Sequence, residues 1–268
     1  MPRLSIADVA APLLCGLIAS LAAAGPSAAS TPAATPATAA SGNQAEIDRS
    51  RYEESRPQKE IPFDPADFDK FVGYYRLGDS DNFAHVYRTG NHYFLQLTAQ
   101  PAAEFFPESP TEFFMTTVAA QVSFEVGPDG RATGMVIHQN GMPHPLHRVS
   151  EAEFQAGSAA LAKRVKANTP SPGTRSMVIA YIRDLEHGSQ DYDTMTPELA
   201  AVARPQLAKS VAVMRKEGTF RSLAFVRVLP NGADAYIATF TGGELLWVIM
   251  PLTKEGKVSG VFFRPYPP

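Results

Sequence analysis

The chain has 268 residues and a mass of 28.9 kDa, which is room for one large domain or two small ones at about 150 residues each. Hydrophobic residues make up 44% and charged residues 19%, so a packed core is within reach and wholesale disorder is excluded. A net charge of -3 (24 basic against 27 acidic side chains) and a pI near 6.1 argue against a nucleic-acid binder, and the single cysteine, Cys15, excludes an intramolecular disulfide and a cysteine-based zinc site.

The chain opens on MPRLSIADVAAPLLCGLIASLAAAGPSAAS, with Arg3 as a short basic region followed by an Ala/Leu-rich apolar run. This is the pattern of a secretory signal peptide over 1–29, cut after Ser27-Ala28-Ala29 or after Ala22-Ala23-Ala24. An uncleaved membrane anchor is the alternative, although the run is shorter than the roughly 20 residues a spanning helix needs. Cys15 follows Leu14 and so lacks the small preceding residue of a lipidation site. Residues 30–62 read as a linker. The Ala/Thr/Pro/Ser stretch comes first and cannot bury enough apolar surface to offset its ordering entropy, and a charged stretch over 44–60 follows as a frayed, exposed helix.

Ten of the 16 phenylalanines and four of the nine tyrosines fall between Phe63 and Phe124. Short aromatic and β-branched runs recur there and beyond: FVGYYRL at 71–77, NFAHVYRT at 82–89, HYFLQLTA at 92–99, then AEFFPES, EFFMTTV, AQVSFEVG, RATGMVIHQ and PHPLHRV. Turn residues such as Gly90-Asn91 and Asn140-Gly141 separate them. Val122, Phe124 and Val126 read as inward, Gln121, Ser123 and Glu125 as outward. Eight short antiparallel strands over 63–150 most simply close into a small barrel, or curl into a half-open one, which removes their exposed edges. Tyr75, His85, Tyr87 and Tyr93 are ligand-binding candidates facing its interior, and the density of aromatics favours a filled barrel.

The run FVGYYRL, then LTAQPAAEFFPESPTEFF, then VSFEVGPDGRATGMVIHQNG resembles the DUF3471 family over residues 68–149. Its most specific parts are Gly73-Tyr74-Tyr75, Phe105-Phe106-Pro107, and the Asp129-Gly130 hairpin that leads to His138-Gln139-Asn140-Gly141. The resemblance implies a lipocalin-like barrel of the kind appended to serine β-lactamase-like hydrolases. It carries over no catalytic residues, and no hydrolase motif stands before the barrel.

Residues 151–173 read as a connecting helix and linker that ends at the breaker Thr169-Pro170-Ser171-Pro172-Gly173. Met177, Val178, Tyr181, Ile182 and Leu185 recur at helical spacing. Thr196-Pro197-Glu198 opens a second helix, which runs to Gly218. Four strands are predicted at 219–229, 233–241, 244–252 and 257–265. Helices followed by a four-strand meander describe an α+β cone. The order, with the ending ELLWVIMPLTKEGKVSGVFFRPYP, looks like the NTF2-like (SnoaL-like) superfamily over 174–268.

Familiar catalytic signatures are missing. There is no Ser-x-x-Lys, Lys-Thr-Gly, Gly-x-Ser-x-Gly or His-Glu-x-x-His, so serine β-lactamase-like hydrolysis is rejected. His138, His144 and His147 flank the Asn140-Gly141 turn, but alternation puts His144 and His147 on opposite faces, and no metal or other cofactor is expected. The NTF2-like resemblance implies an apolar cavity holding an acid or base. Asp184, one turn from Tyr181, is the candidate pair, with Tyr192, Asp193, Tyr236 and Trp247 as wall or rim residues and His187 with Asp191 as a second pair. The leading reading is an exported, non-catalytic accessory protein that binds a small molecule, a peptide or a partner such as a separately encoded hydrolase, with no nucleic acid and no membrane after signal cleavage. The alternatives are an isomerase or dehydratase acting on a small apolar substrate, and self-association as a homodimer through the open face of the cone sheet around Trp247.

Overall fold

The computed structural model describes residues 48–51, 53, 54, 56 and 58–267. The signal peptide, Cys15 and the first part of the linker lie outside the described residues. Among those described, no helix is long and apolar enough to cross a membrane.

A short helix α1 (Pro65–Phe68) leads into eight strands: β1 (Gly73–Leu77), β2 (Phe83–Thr89), β3 (His92–Leu97), β4 (Ala103–Pro107), β5 (Glu112–Met115), β6 (Ala120–Val126), β7 (Ala132–Gln139) and β8 (Met142–Val149). Each pairs antiparallel with its neighbour in sequence, and β1 pairs with β8 from Tyr74↔Val149 to Leu77↔Leu146, so the barrel is closed and has no free edge. At the β7–β8 turn Asn140 and Gly141 both take positive φ, 56° and 69°. Those are the angles a two-residue hairpin needs to match the twist of its strands.

The interior is aromatic at one end. Phe68 and Phe71 enter beneath the start of β1 and meet Tyr93, Phe105, Phe113 and Phe124, with Phe68 stacked on Tyr93 at 4.3 Å and Phe71 on Phe124 at 4.3 Å. Each buried Phe contributes about 1.5–3 kcal/mol, so this plug is a large share of the barrel's cohesion. Val122 and Phe124 point inward as their alternation predicts. Val126 does not: a register shift between Glu125 and Val126 breaks the alternation beside the hairpin and leaves it 41% exposed.

Helix α2 (Glu151–Ala167) starts at an Ser150 cap, whose hydroxyl accepts from the Glu153 amide, and ends at Asn168 in the left-handed region. The Asn168 side chain then accepts from the Val228 amide, which ties the helix end to the second sheet. Phe154 of α2 continues an aromatic ladder on the outer wall, stacking on Tyr74 (4.3 Å), which stacks on His85 (4.6 Å), then Tyr87 (4.8 Å). Gly157 lies flat against Phe83: a Cβ there would sit 2.6 Å from ring atom Cε2. Ala normally gains about 1 kcal/mol over Gly in a helix. Here Gly157→Ala is expected to lose about 1–2 kcal/mol through overpacking. The loss should shrink in the Phe83→Leu background, measured by thermal melts of the four variants.

The charged N-terminal stretch is helical where it is described, but only one side of it is exposed, at Asp48, Arg49 and Arg51. Residues 48–51, 53 and 54 are helical, yet Ser50 and Glu53 are buried (0% and 5% exposed), and Glu53 reaches His138 of β7 at 2.8 Å on the outside of the barrel. Arg56 reaches Glu108 (2.7 Å) and Glu112 (3.2 Å), and Glu54 accepts from the Gly141 amide at 2.8 Å.

Beyond α2, helices α3 (Thr174–Glu186) and α4 (Pro197–Glu217) pack on one face of a separate four-stranded antiparallel sheet of order β12-β11-β10-β9. Its strands are β9 (Phe220–Val228), β10 (Asp234–Phe240), β11 (Glu244–Ile249) and β12 (Val261–Tyr266). Its last strand starts four residues later than its sequence suggests. Val258 instead makes an isolated parallel bridge with Met195, in front of α4. A polar anchor closes the start of β10. Asp234, fully buried, accepts from Arg164 (3.0 Å), from the Ser171 amide (2.7 Å) and from the Thr174 hydroxyl (2.8 Å), and Thr174 also meets the Tyr236 hydroxyl at 2.8 Å.

Candidate functional site at the mouth of the barrel

The aromatic plug fills the barrel from one end only. At the other, where β1 and β3 finish and β2 and β8 begin, a cavity of about 90 Å³ remains. Leu77, Leu97, Ile137 and Leu146 form its apolar wall, and Phe83 borders it from the α2 side. Asn82, Thr98, Gln100, Gln139 and His144 add polar groups, and Asn231 and Met250 from beside the second sheet complete the rim. That is a volume of about three waters, larger than interiors normally leave empty. Concave, mostly apolar surface with a few convergent polar groups is the usual form of a small-ligand site.

The polar groups arrive by strand alternation. His144 pairs in register with Ile137 and shares its inward face, as does Leu146 with Met135. His144 is half-buried and borders the cavity. Burial pushes its pKa down to about 4, partly offset by a hydrogen bond to the Gln139 backbone, so it is neutral at physiological pH. Protonation is therefore disfavoured in the folded state. Stability is expected to fall as pH drops through about 6.5, where the unfolded ring charges, and to level off near 4. Burial also lowers His138 and His85, in the same direction. His144→Gln should flatten this slope in denaturant melts taken at several pH values; an unchanged slope assigns the acid sensitivity elsewhere.

The sequence-based candidates are dispersed. Tyr75 and Tyr93 do face the interior, but as core: Tyr75 is fully buried and donates from its hydroxyl to the Phe71 carbonyl at 2.6 Å. His85 and Tyr87 are corrected to the outer wall, because Ala84 and Val86 of β2 take the inward positions and the parity between them points out. The three histidines do not converge. His144 faces the cavity, His147 is exposed opposite Gly134, and His138 lies under the N-terminal segment; no group of three metal-ligating side chains occurs among the described residues.

His138 does meet a serine and an acid, at Ser123 Oγ (2.9 Å) and Glu53 Oε2 (2.8 Å). Both contacts are to Nε2, and Nδ1 has no partner. In a nucleophilic triad the acid holds the nitrogen opposite the one that takes the serine proton. Here acid and serine compete for one nitrogen, so the ring is not set up as a base for Ser123.

In the second sheet Tyr181 and Asp184 do not form an acid–hydroxyl pair. The Tyr181 hydroxyl points to Met195 Sδ (3.7 Å), and Asp184 accepts from the Asp191 amide (3.1 Å), which fixes the loop after α3. His187 Nδ1 bonds the Arg183 carbonyl at 2.6 Å rather than Asp191, while Asp191 caps the turn by accepting from the Asp193 amide. Tyr192 lies under Arg204 at 4.1 Å. Trp247 is fully buried, stacked on Phe263 at 4.5 Å on the helix-facing side of the sheet, and so is absent from the open face where an interface would form. Tyr236 belongs to the Asp234 anchor.

Fold and site together define a closed eight-stranded antiparallel barrel, filled at one end and hollow at the other, joined to a helix-covered four-stranded sheet. Residues 57–157, from just before the barrel into α2, match the family described as a domain of unknown function, DUF3471. The chain is also similar to penicillin-binding protein 4* of Bacillus subtilis strain 168, 30% identical over 84 residues. Those residues are 31% of this chain and 18% of that relative, so the chain spans less than a fifth of the relative's length.

Proposed function

We propose that the protein is an exported, non-catalytic accessory module that binds a small molecule at the mouth of its barrel. The observation that carries this is the cavity, mostly apolar with a few neutral polar groups around it, at one end of an otherwise tightly filled barrel. Likeness to a domain found in penicillin-binding protein 4*, together with the signal-like N-terminus, supports export and an association with β-lactamase-like hydrolases, including one encoded separately. On this reading 63–150 is a lipocalin-like domain and 174–268 an NTF2-like one, joined by 151–173. Support for the latter is the order of α3, α4 and a four-strand meander packed under them.

Binding without turnover is favoured over an isomerase because Asp184 is engaged in the Asp191 loop and Tyr181 faces Met195. The test has two arms. Thermal-shift screening of the full chain against a library of small neutral and charged metabolites should give hits whose stabilisation is lost in Leu97→Trp, which fills the cavity. Panels of esterase, lactamase and isomerase substrates should give no turnover. Robust turnover, or hits unaffected by Leu97→Trp, would reject the proposal.

A further inference from the structure

We infer that the barrel-mouth cavity selects an uncharged ligand carrying a carboxamide on a short aliphatic stem. This deepens the small-molecule reading above and rests on it. Of the polar groups around the cavity, four are themselves carboxamides, Asn82, Gln100, Gln139 and Asn231, and none of the lining side chains is an acid, a lysine or an arginine. Gln139 decides the point. It is 4% exposed overall and its side-chain amide makes no hydrogen bond to any described residue, so the little accessible surface the amide keeps lies at the cavity that Gln139 lines.

An accessible amide exchanges water for ligand, and a ligand that supplies both a donor and an acceptor gains about 0.5–1.5 kcal/mol for each hydrogen bond it makes there. A second carboxamide is the group that offers both. Thr98 does not compete for this role, since its hydroxyl is already committed to the Phe83 backbone, accepting from the amide (2.8 Å) and donating to the carbonyl (3.2 Å). Asn231 is likewise held, accepting from the Ala233 amide at 3.2 Å, and serves as a rim group. His144, neutral beside Gln139, provides no countercharge for a carboxylate. A carboxylate or an ammonium would enter an apolar chamber without an ionic partner, which is far more costly than placing a neutral dipole there. The wall of Leu77, Leu97, Ile137 and Leu146 gives the stem its apolar seat.

The test compares three ligands of one size, butyramide, butyrate and butylammonium, titrated into the full chain and followed by methyl and side-chain amide NMR. Butyramide should bind at least about tenfold more tightly than either ion, with saturable shifts at the Gln139 side-chain amide. Gln139→Leu should weaken butyramide about tenfold and bring it level with 2-pentanone, a neutral molecule without an amide N–H; the melting temperature of each variant reports whether it is folded. Equal or tighter binding of butyrate or butylammonium, or an unchanged butyramide affinity in Gln139→Leu, overturns this selectivity while leaving the cavity a ligand site. Failure of all three and of 2-pentanone in a folded protein overturns the small-molecule reading as well.

Discussion

Arg148→Met is expected to destabilise the barrel by about 3 kcal/mol, visible as a fall of about 10 °C in melting temperature. Arg148 is the tie between strands that meet at the closed end. Its guanidinium donates to the Lys70 carbonyl (3.4 Å), the Ala132 carbonyl (3.0 Å), the Val72 carbonyl and the Tyr75 hydroxyl (3.0 Å), and lies over the Tyr75 ring at 5.4 Å. Methionine keeps the apolar stem and removes every donor, so three carbonyls and a hydroxyl lose a partner where little water reaches them. Arg148→Lys should recover only part of the loss, because an ammonium cannot spread its donors over a planar fork. A melting temperature within 2 °C of the parent would mean that these carbonyls rehydrate and the tie is not needed.

The second large effect lies in the other sheet. Asp234→Ala should cost about 3–5 kcal/mol, since Arg164 is left with an unpaired charge at a part-buried site and the Ser171 amide and Thr174 hydroxyl lose their acceptor. Asp234 joins three segments at once: the C-terminal turn of α2, the linker before α3, and β10. The double variant Asp234→Ala/Arg164→Met should recover part of the loss, because the stranded cation is gone. Chemical denaturation of the single and double variants reads this directly. Equal stability of Asp234→Ala and the parent would contradict the anchor.

The barrel was legible in the sequence because short alternating runs and Gly or Asn-Gly turns encode strand count and connection, and eight such strands have only a few ways to hide their edges. The specific motif Gly73-Tyr74-Tyr75 also acquires a cause. A Cβ at Gly73 would lie 2.6 Å from Arg148 Nη2, Tyr74 opens the outer aromatic ladder, and Tyr75 supplies the interior hydroxyl that Arg148 grips. Less legible was which aromatic faces which way. His85 and Tyr87 share the composition of a barrel lining, but parity on β2 is set by Ala84 and Val86, small residues that a search for large side chains passes over.

The cavity itself was hidden for a related reason. Counting aromatics suggests a full barrel, yet they gather at the α1 end, and emptiness at the far end depends on where Leu77, Leu97 and Leu146 stop short. Gln139 carried a signal that was available: it precedes the Asn140-Gly141 turn in alternation with Ile137 and Met135, which makes a polar side chain inward. The N-terminal segment gave the opposite error, since its charges suggest solvent while their partners lie some fifty residues away, at Glu108 and Glu112 for Arg56.

Xenon titration of the methyl-labelled full chain examines the half-hollow lumen without choosing a ligand chemistry. Saturable shifts at Leu77, Leu97, Ile137 and Leu146, with Leu95 and Val122 at the filled end unmoved, are the expected result. Shifts that stay linear in xenon pressure, or that are no larger at the mouth than at the plug, would mean that the chamber is closed in solution and that the barrel offers no seat for a small molecule.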